Sequence, residues 1–156
     1  MLKFTSDCLA PTATILLIIG AGGGFNQVLK DSGVGKAIAD MALNMNVPLL
    51  VLAFTVAALI RVATGSATVA LTTAAGIVAP IAEQTMGTSA AVRPELLVLA
   101  TGAGSIILSH MNDSGFWLIK EYFNMTVAQI LKTWTALEKI LAVAAFAFTL
   151  LLHLFV

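Results

Sequence analysis

The chain has 156 residues, of which 59% are hydrophobic and 10% are charged, and its formal net charge is zero. An ordinary soluble domain carries about a quarter charged residues, so this composition indicates an integral membrane protein. The eight basic residues are scattered and form no stripe that could neutralise a nucleic-acid backbone, which excludes nucleic acid as a partner.

The first apolar tract, residues 9–29, is long enough for a transmembrane helix, which needs about 20 mostly apolar residues. Its second half contains the run GAGGG at residues 20–24, whose glycines favour a bend or close packing. This run lacks the lysine of a phosphate-binding loop and the preceding strand of a dinucleotide fold, so we expect no nucleotide cofactor. Cys8 is the single cysteine, and without a partner it predicts neither a disulfide nor a metal site.

Residues 34–45 combine charges with apolar residues at helical spacing. Val34, Ile38, Met41 and Met45 fall on one stripe, and the charged residues lie off it. This pattern predicts an amphipathic helix that lies along the membrane surface.

Residues 47–81 hold two short apolar arms on either side of the polar sequence RVATGSAT. The first arm, Val47 to Ile60, would form a helix of about 21 Å, shorter than a hydrocarbon core of about 30 Å. The second arm is also short and ends at Pro80. Two short arms and a polar turn predict a re-entrant hairpin whose tip reaches the middle of the membrane. The alternative is two complete helices, with Arg61 snorkelling at the membrane interface.

A broken helix is predicted over residues 96–123. Its first part is free of charge up to Ser109, and the polar sequence SHMNDSG then interrupts it, with a break near residues 110–115. The chain continues as an amphipathic surface segment over 124–138 and closes with a transmembrane helix over 139–156.

Hydroxyl side chains recur four residues apart in both interrupted segments, a spacing that puts them on one helix face. They are Thr64, Thr68 and Thr72 in the hairpin, and Thr101, Ser105 and Ser109 in the broken helix. Small side chains also let membrane helices pack closely, and for either stripe alone that is the simpler interpretation. Each stripe reaches a polar cluster that breaks the helix, which favours a binding site.

Arg61 and Asp113 are opposite in sign, and each lies beside one of these interruptions. A charge inside the hydrocarbon costs about 3 kcal/mol or more, so ionisable residues there are usually paired and functional. His110 lies three residues before Asp113, within its reach on a continuing helix. Broken helices present dipole ends with which many secondary transporters bind an anion and its coupling ion. Together these features predict proton-coupled transport of a polar anion, with Asp113 or His110 exchanging the proton.

Two long stretches carry a resemblance to a known family. The sequences RVATGSATVALTTAAGIVAPI and SHMNDSGFWLIKEYFNMTVAQILKTWT resemble the C-terminal part of the gluconate permease family, within the ion transporter superfamily. Members of that family are proton symporters for gluconate and related sugar acids. They are about three times as long as this chain and consist of two inverted repeats. The resemblance therefore implies that this chain is the second repeat and that an N-terminal repeat is its partner.

The family implies a multi-pass protein of the bacterial inner membrane with no cofactor, whose partners are a gluconate-like sugar acid, a proton and the lipid bilayer. It also implies an all-α fold with a re-entrant hairpin and a discontinuous helix. By matching, the residues that would face the substrate are Thr64, Gly65, Ser66, Thr68, Ser109, His110, Asn112, Asp113 and Ser114. We assign Arg61 as the electrostatic partner of the substrate carboxylate and Asp113 as the proton carrier.

Two other functions are weighed. Ser114 could reach His110 at helical spacing, as an intramembrane hydrolase would require, but Asp113 cannot then easily orient the imidazole. The chain could also be a non-transporting membrane subunit or remnant, because a site shared by two repeats is only half built in one. The residues leave open the sugar acid, the membrane orientation, a homo-oligomeric state, and coupling to protons or sodium.

Overall fold

The structure, a computed structural model, describes residues 28, 31–32, 47–85, 87 and 92–155. Every regular element in this part of the chain is a helix, so the all-α prediction is confirmed for the described residues. The transmembrane helix predicted at 9–29 and the surface helix predicted at 34–45 lie outside them, apart from residue 28.

The described residues form six helices: α1 (Leu49–Thr64), α2 (Ala67–Thr85), α3 (Pro94–Ser105), α4 (Ser114–Tyr122), α5 (Val127–Lys132) and α6 (Trp134–Phe155). In this part of the chain one segment is long and apolar enough to cross a membrane. It is Val127–Phe155 and contains both α5 and α6. α1 and most of α2 are apolar but shorter. With 16 and 19 residues, they span about 24 Å and about 28 Å.

α1 and α2 form a hairpin with two non-helical residues at its turn, Gly65 and Ser66, which we name the first break. Gly65 has a φ of 73°, a left-handed conformation that ends α1, and its N–H donates to Arg61 O at 2.8 Å. The prediction that the second arm ends at Pro80 is wrong, because α2 continues to Thr85. Pro80 is fully buried, and packing of the surrounding apolar residues outweighs its missing N–H.

The apolar core lies where α1, α2 and α3 pack together. It consists of Leu49, Leu50, Ala53, Val78, Ile81, Leu96, Leu97 and Ala100. The close approach of α3 to α1 requires Gly104, where a methyl group would lie 2.9 Å from Cβ of Ala57. α3 also packs on α6. Small residues thus bring the helices close together, as is common in membrane bundles.

Residues 106–113, which we name the second break, separate α3 from α4 and are not helical. Leu108 has a φ of 56°, which turns the chain out of the helical path. The carboxylate of Asp113 accepts a hydrogen bond from Gly115 N at 2.9 Å and caps α4. The break predicted near residues 110–115 therefore ends before Gly115, because this aspartate cap starts a new helix at Ser114 and puts the glycine in its first turn.

The C-terminal part of the chain is a short helix followed by a long one. α5 begins with a capping box in which Thr126 and Gln129 bond each other's backbone N–H groups. α6 begins at Trp134 rather than at residue 139, so residues 124–138 are not one amphipathic segment. Much of the apolar surface of α6 is exposed, including Ile140, Val143, Phe148 and Leu154.

Candidate functional site

The first and second breaks lie against each other, although they are far apart in the sequence. Asn112 donates through Nδ2 to the carbonyl oxygens of Val62 at 3.3 Å and Ala63 at 3.4 Å, in the last turn of α1. A Cβ on Gly65 would lie 2.6 Å from the carbonyl carbon of Asn112. The two backbones therefore touch at a place where only glycine fits.

A charged cluster lies beside this contact; it is formed by the buried Arg61 and Asp113 and the half-buried Glu138. Arg61 is 2% exposed and belongs to the last turn of α1. Its Nη2 lies 2.6 Å from Oδ2 of Asp113 and 3.5 Å from Oε2 of Glu138, and its Nη1 donates to Gly65 O. Its Nε has no hydrogen-bond partner among the described residues. One guanidinium thus joins α1, both breaks and α6.

Ser109 makes three hydrogen bonds, two of them to the carboxylates of the charged cluster. It is fully buried, and its hydroxyl donates to Oδ2 of Asp113. Its backbone N–H donates to Oε2 of Glu138 at 2.9 Å, and its carbonyl accepts from Oγ1 of Thr135 at 2.6 Å. Ser109 therefore fixes the second break to the first turns of α6.

The two carboxylates of the charged cluster are held unequally. Asp113 accepts hydrogen bonds from Arg61, from Ser109 Oγ and from Gly115 N. Glu138 accepts one backbone hydrogen bond, and its distance to the guanidinium is longer. Since a buried ion is tolerated only when it is paired and well hydrogen-bonded, Asp113 is the better stabilised anion of the two.

A second set of polar side chains surrounds the breaks and is more open; we name these the outer polar side chains. Thr64, Thr68, Asn112 and Ser114 are exposed, and Ser66 and His110 are half-buried. In the described part of the chain, no hydrogen bond joins the imidazole of His110 to Asp113 or Ser114, and its Nδ1 lies 3.2 Å from Leu108 O. The helical pairings predicted for His110 are absent because the second break is not a helix.

The hydroxyl stripes form only in part. Thr68 and Thr72 share α2, and Thr101 and Ser105 share α3, at the predicted spacing of four residues. Thr64 ends α1 and Ser109 lies in the second break, so neither continues its stripe. Thr101 and Ser105 are buried in α3 and donate to carbonyls of their own helix, those of Leu97 at 2.6 Å and Gly102 at 2.8 Å. Helix packing therefore accounts for these two buried hydroxyls.

Comparison with known proteins decides the family. Residues 1–155 match the family described as GntP family permease. The chain belongs to this permease family. It is 57% identical over 99% of its length to a gluconate permease of Pseudomonas aeruginosa, and 55% identical over 96% to one of Zymomonas mobilis. It is 51% identical over 91% of its length to a high-affinity gluconate transporter of Escherichia coli.

The chain spans about a third of the length of these curated relatives, 33%, 32% and 31% respectively. No solved structure matches it. The resemblance drawn from the sequence is confirmed, and the names of the GntP relatives are those of transporters rather than of enzymes.

Sequence reasoning missed two residues of the site, Glu138 and Thr135. Both lie in the segment 124–138, which was predicted to be an amphipathic surface segment, whereas α6 turns them toward the second break. Their spacing of three residues, directly before a long apolar tract, is a signal that could have indicated a shared inward face. In a GntP permease, a carboxylate near the start of a long, mostly apolar helix is also a candidate functional group in its own right.

Proposed function

We propose that this chain forms part of a secondary transporter that carries gluconate or a related sugar acid, together with a proton, across the bacterial inner membrane. The names of the relatives support the substrate class. The observation that carries the proposal is the buried ion pair of Arg61 and Asp113 at the contact between two helix breaks. Secondary transporters build their sites where broken helices meet and their ionisable groups pair.

In this proposal α1 and α2 are a re-entrant hairpin, α3 and α4 are the halves of a discontinuous helix, and α6 spans a multi-pass bundle. An N-terminal repeat of inverted topology completes the site. The short apolar α1 and the exposed apolar surface of α6 support this arrangement, because both would otherwise contact water. Lipid and the other repeat would cover that surface.

The substrate binds on the exposed side of the breaks. The residues proposed to contact it are Thr64, Gly65, Ser66, Thr68, Asn112 and Ser114, with Arg61 and Ser109 next to them. Hydroxyl and amide groups suit a sugar acid, whose hydroxyls need partners when buried. Arg61 supplies positive potential toward the substrate carboxylate and has a spare Nε–H among the described residues. The proton binds close to the breaks, and the candidates from the sequence are Asp113 in the charged cluster and His110 among the outer polar side chains.

Reconstitution in proteoliposomes tests the proposal with two proteins. One is the chain alone, and the other is a chimera in which the chain replaces the matching third of the Pseudomonas aeruginosa relative. We expect the chimera to accumulate labelled gluconate under an imposed pH gradient and to stop when a protonophore removes the gradient. A chimera that folds but takes up no sugar acid would overturn the proposal.

The chain alone distinguishes a second candidate function. Because it spans about a third of its relatives, it is also a candidate non-transporting subunit. Uptake by the chimera without uptake by the chain alone would show that the chain acts as one repeat. If neither transports, the non-transporting subunit is the better description.

A further inference from the structure

The charged cluster holds more negative than positive charge. Arg61 faces two carboxylates, Asp113 and Glu138, so the formal charge with all three groups ionised is −1. Leaving a buried charge without a partner is strongly destabilising. One bound proton would neutralise the cluster.

The contacts indicate which carboxylate takes that proton. Asp113 receives three donors, and hydrogen bonds to a charged form favour that form. Glu138 receives one backbone donor, and its Oε2 lies 3.5 Å from Arg61 Nη2. Glu138 is thus the less stabilised anion of the two.

We propose that Glu138 is the proton-binding site of the transport cycle, while Asp113 stays ionised as the fixed partner of Arg61. This inference rests on the proposed function. It replaces the assignment of the proton to Asp113 with one argued from the contacts of both groups.

Ser109 provides the physical link between this proton and the substrate side. Its N–H holds the ionised form of Glu138, and its hydroxyl holds Asp113. Protonation of Glu138 weakens the bond from Ser109 N and frees Arg61 to interact with Asp113 alone. The second break carries Asn112 against Gly65, so a change at Ser109 is transmitted to the outer polar side chains. A proton at Glu138 can therefore alter the substrate side without touching the substrate.

The charged groups that face Glu138 are Arg61 from α1 and Asp113 from the second break. α3 and α5, which also pack on α6, contribute no ion pair to it in the described part of the chain. The neighbouring Lys139 lines an apolar pocket whose walls include neither Arg61 nor Asp113. Within the described residues, the charges that act on Glu138 are therefore those of Arg61 and Asp113.

Glu138→Gln in the chimera separates coupling from translocation. The amide keeps the size of the side chain but cannot exchange a proton. We expect accumulation driven by a pH gradient to fall to the level of protein-free liposomes, while exchange of labelled for unlabelled gluconate without a gradient continues. Glu121→Gln is the matched control, because Glu121 is an exposed glutamate paired with Lys120 outside the charged cluster. It should leave both measurements unchanged.

Each outcome has a separate meaning. If the Glu138→Gln chimera still accumulates gluconate under a pH gradient, or if it folds but loses exchange as well, the inference is wrong and the proposed function stands. If a sodium gradient drives uptake in the unsubstituted chimera and a pH gradient does not, the inference is also wrong. An unsubstituted chimera with no transport of any kind refutes the proposed function instead.

Infrared spectroscopy on the chain itself tests the proton directly, without transport. At neutral pH in lipid nanodiscs, a protonated carboxyl group gives a carbonyl band that shifts in D₂O. We expect this band in the unsubstituted chain and its loss in Glu138→Gln, in which Asp113 alone faces Arg61 and stays ionised. No band in the unsubstituted chain, or a band that persists in Glu138→Gln, would overturn the inference.

Discussion

Nη2 of Arg61 and Oδ2 of Asp113 lie 2.6 Å apart across 52 residues of sequence, and both side chains are buried. This pair joins the end of α1 to the start of α4, so it holds the two helix breaks together. Glu138 approaches the same Nη2 from α6 at 3.5 Å. The guanidinium is therefore the centre on which three separate parts of the chain converge.

Removing the guanidinium should destabilise the fold more than removing the carboxylate. Arg61→Met leaves the buried carboxylate of Asp113 and the half-buried one of Glu138 without their cation, whereas Asp113→Asn leaves Arg61 next to Glu138. We expect a loss of about 3–5 kcal/mol for Arg61→Met and a smaller one for Asp113→Asn. Denaturant unfolding of the chain in detergent micelles, followed by circular dichroism, measures both.

Lys120→Met is the control for this pair of variants. It removes an ion pair of 2.8 Å whose glutamate is 76% exposed, and a surface pair of this kind contributes little to stability. Equal losses for Arg61→Met and Lys120→Met would contradict the central position of Arg61.

Gly65 should be far less tolerant of substitution than Gly87. Both have a left-handed φ, 73° and 82° respectively, so alanine costs about 1–2 kcal/mol of backbone strain at either position. At Gly65 the added methyl group would also meet the backbone of Asn112, whereas at Gly87 it would meet nothing within 4 Å. We expect Gly65→Ala to lower the unfolding midpoint clearly more than Gly87→Ala, and similar midpoints would argue against contact between the breaks.

The two polar clusters within apolar sequence predicted the helix breaks. Burying several polar groups together costs free energy, so such clusters occur where the polar groups have partners or a function. The backbone leaves the helical conformation beside both clusters, at residues 65–66 and 106–113. The opposite signs of Arg61 and Asp113 suggested that each needed a partner, and the fold pairs them with each other.

Other features depend on tertiary contacts that periodicity does not contain. Thr64 and Thr68 have perfect helical spacing, but a left-handed glycine lies between them and puts them on different helices. In the sequence, Glu138 has the pattern of a surface charge. In the structure, the second break lies against α6 and Ser109 N donates to the carboxylate of Glu138. Pro80 predicts the end of a helix, but α2 continues past it because the proline is buried among packed apolar residues.

Ser109 and Ser105 are both buried serines, and we expect their hydroxyls to contribute unequally to the free energy of unfolding. The Ser109 hydroxyl donates to the carboxylate of Asp113, whereas that of Ser105 donates to the Gly102 carbonyl of its own helix. A hydrogen bond to a charged group is worth about 1.5–3 kcal/mol, so Ser109→Ala should destabilise the chain by that amount. Ser105→Ala should have a smaller effect, because a helix carbonyl keeps its backbone partner. Chemical unfolding of the two variants compares them, and the reverse order would remove Ser109 from its linking position.

Thr64 provides a test of where the substrate binds. Its hydroxyl donates to Ile60 O at 2.8 Å, and Thr55 on the same helix makes the equivalent bond to Val51 O at 2.7 Å. Both threonines are exposed, and Thr64 alone of the two lies next to the breaks. The two Thr→Val substitutions therefore remove the same local bond at different distances from the proposed site.

We expect Thr64→Val in the chimera to raise the KM for gluconate about fivefold to tenfold, because one hydrogen bond to the substrate is worth about 1 kcal/mol. Thr55→Val should leave the KM unchanged, and both variants should keep the stability of the parent. Initial rates of labelled gluconate uptake over a range of concentrations give the KM. Equal KM values for the two variants would mean that the hydroxyl of Thr64 makes no contact with the sugar acid, and the substrate would then have to bind away from the end of α1.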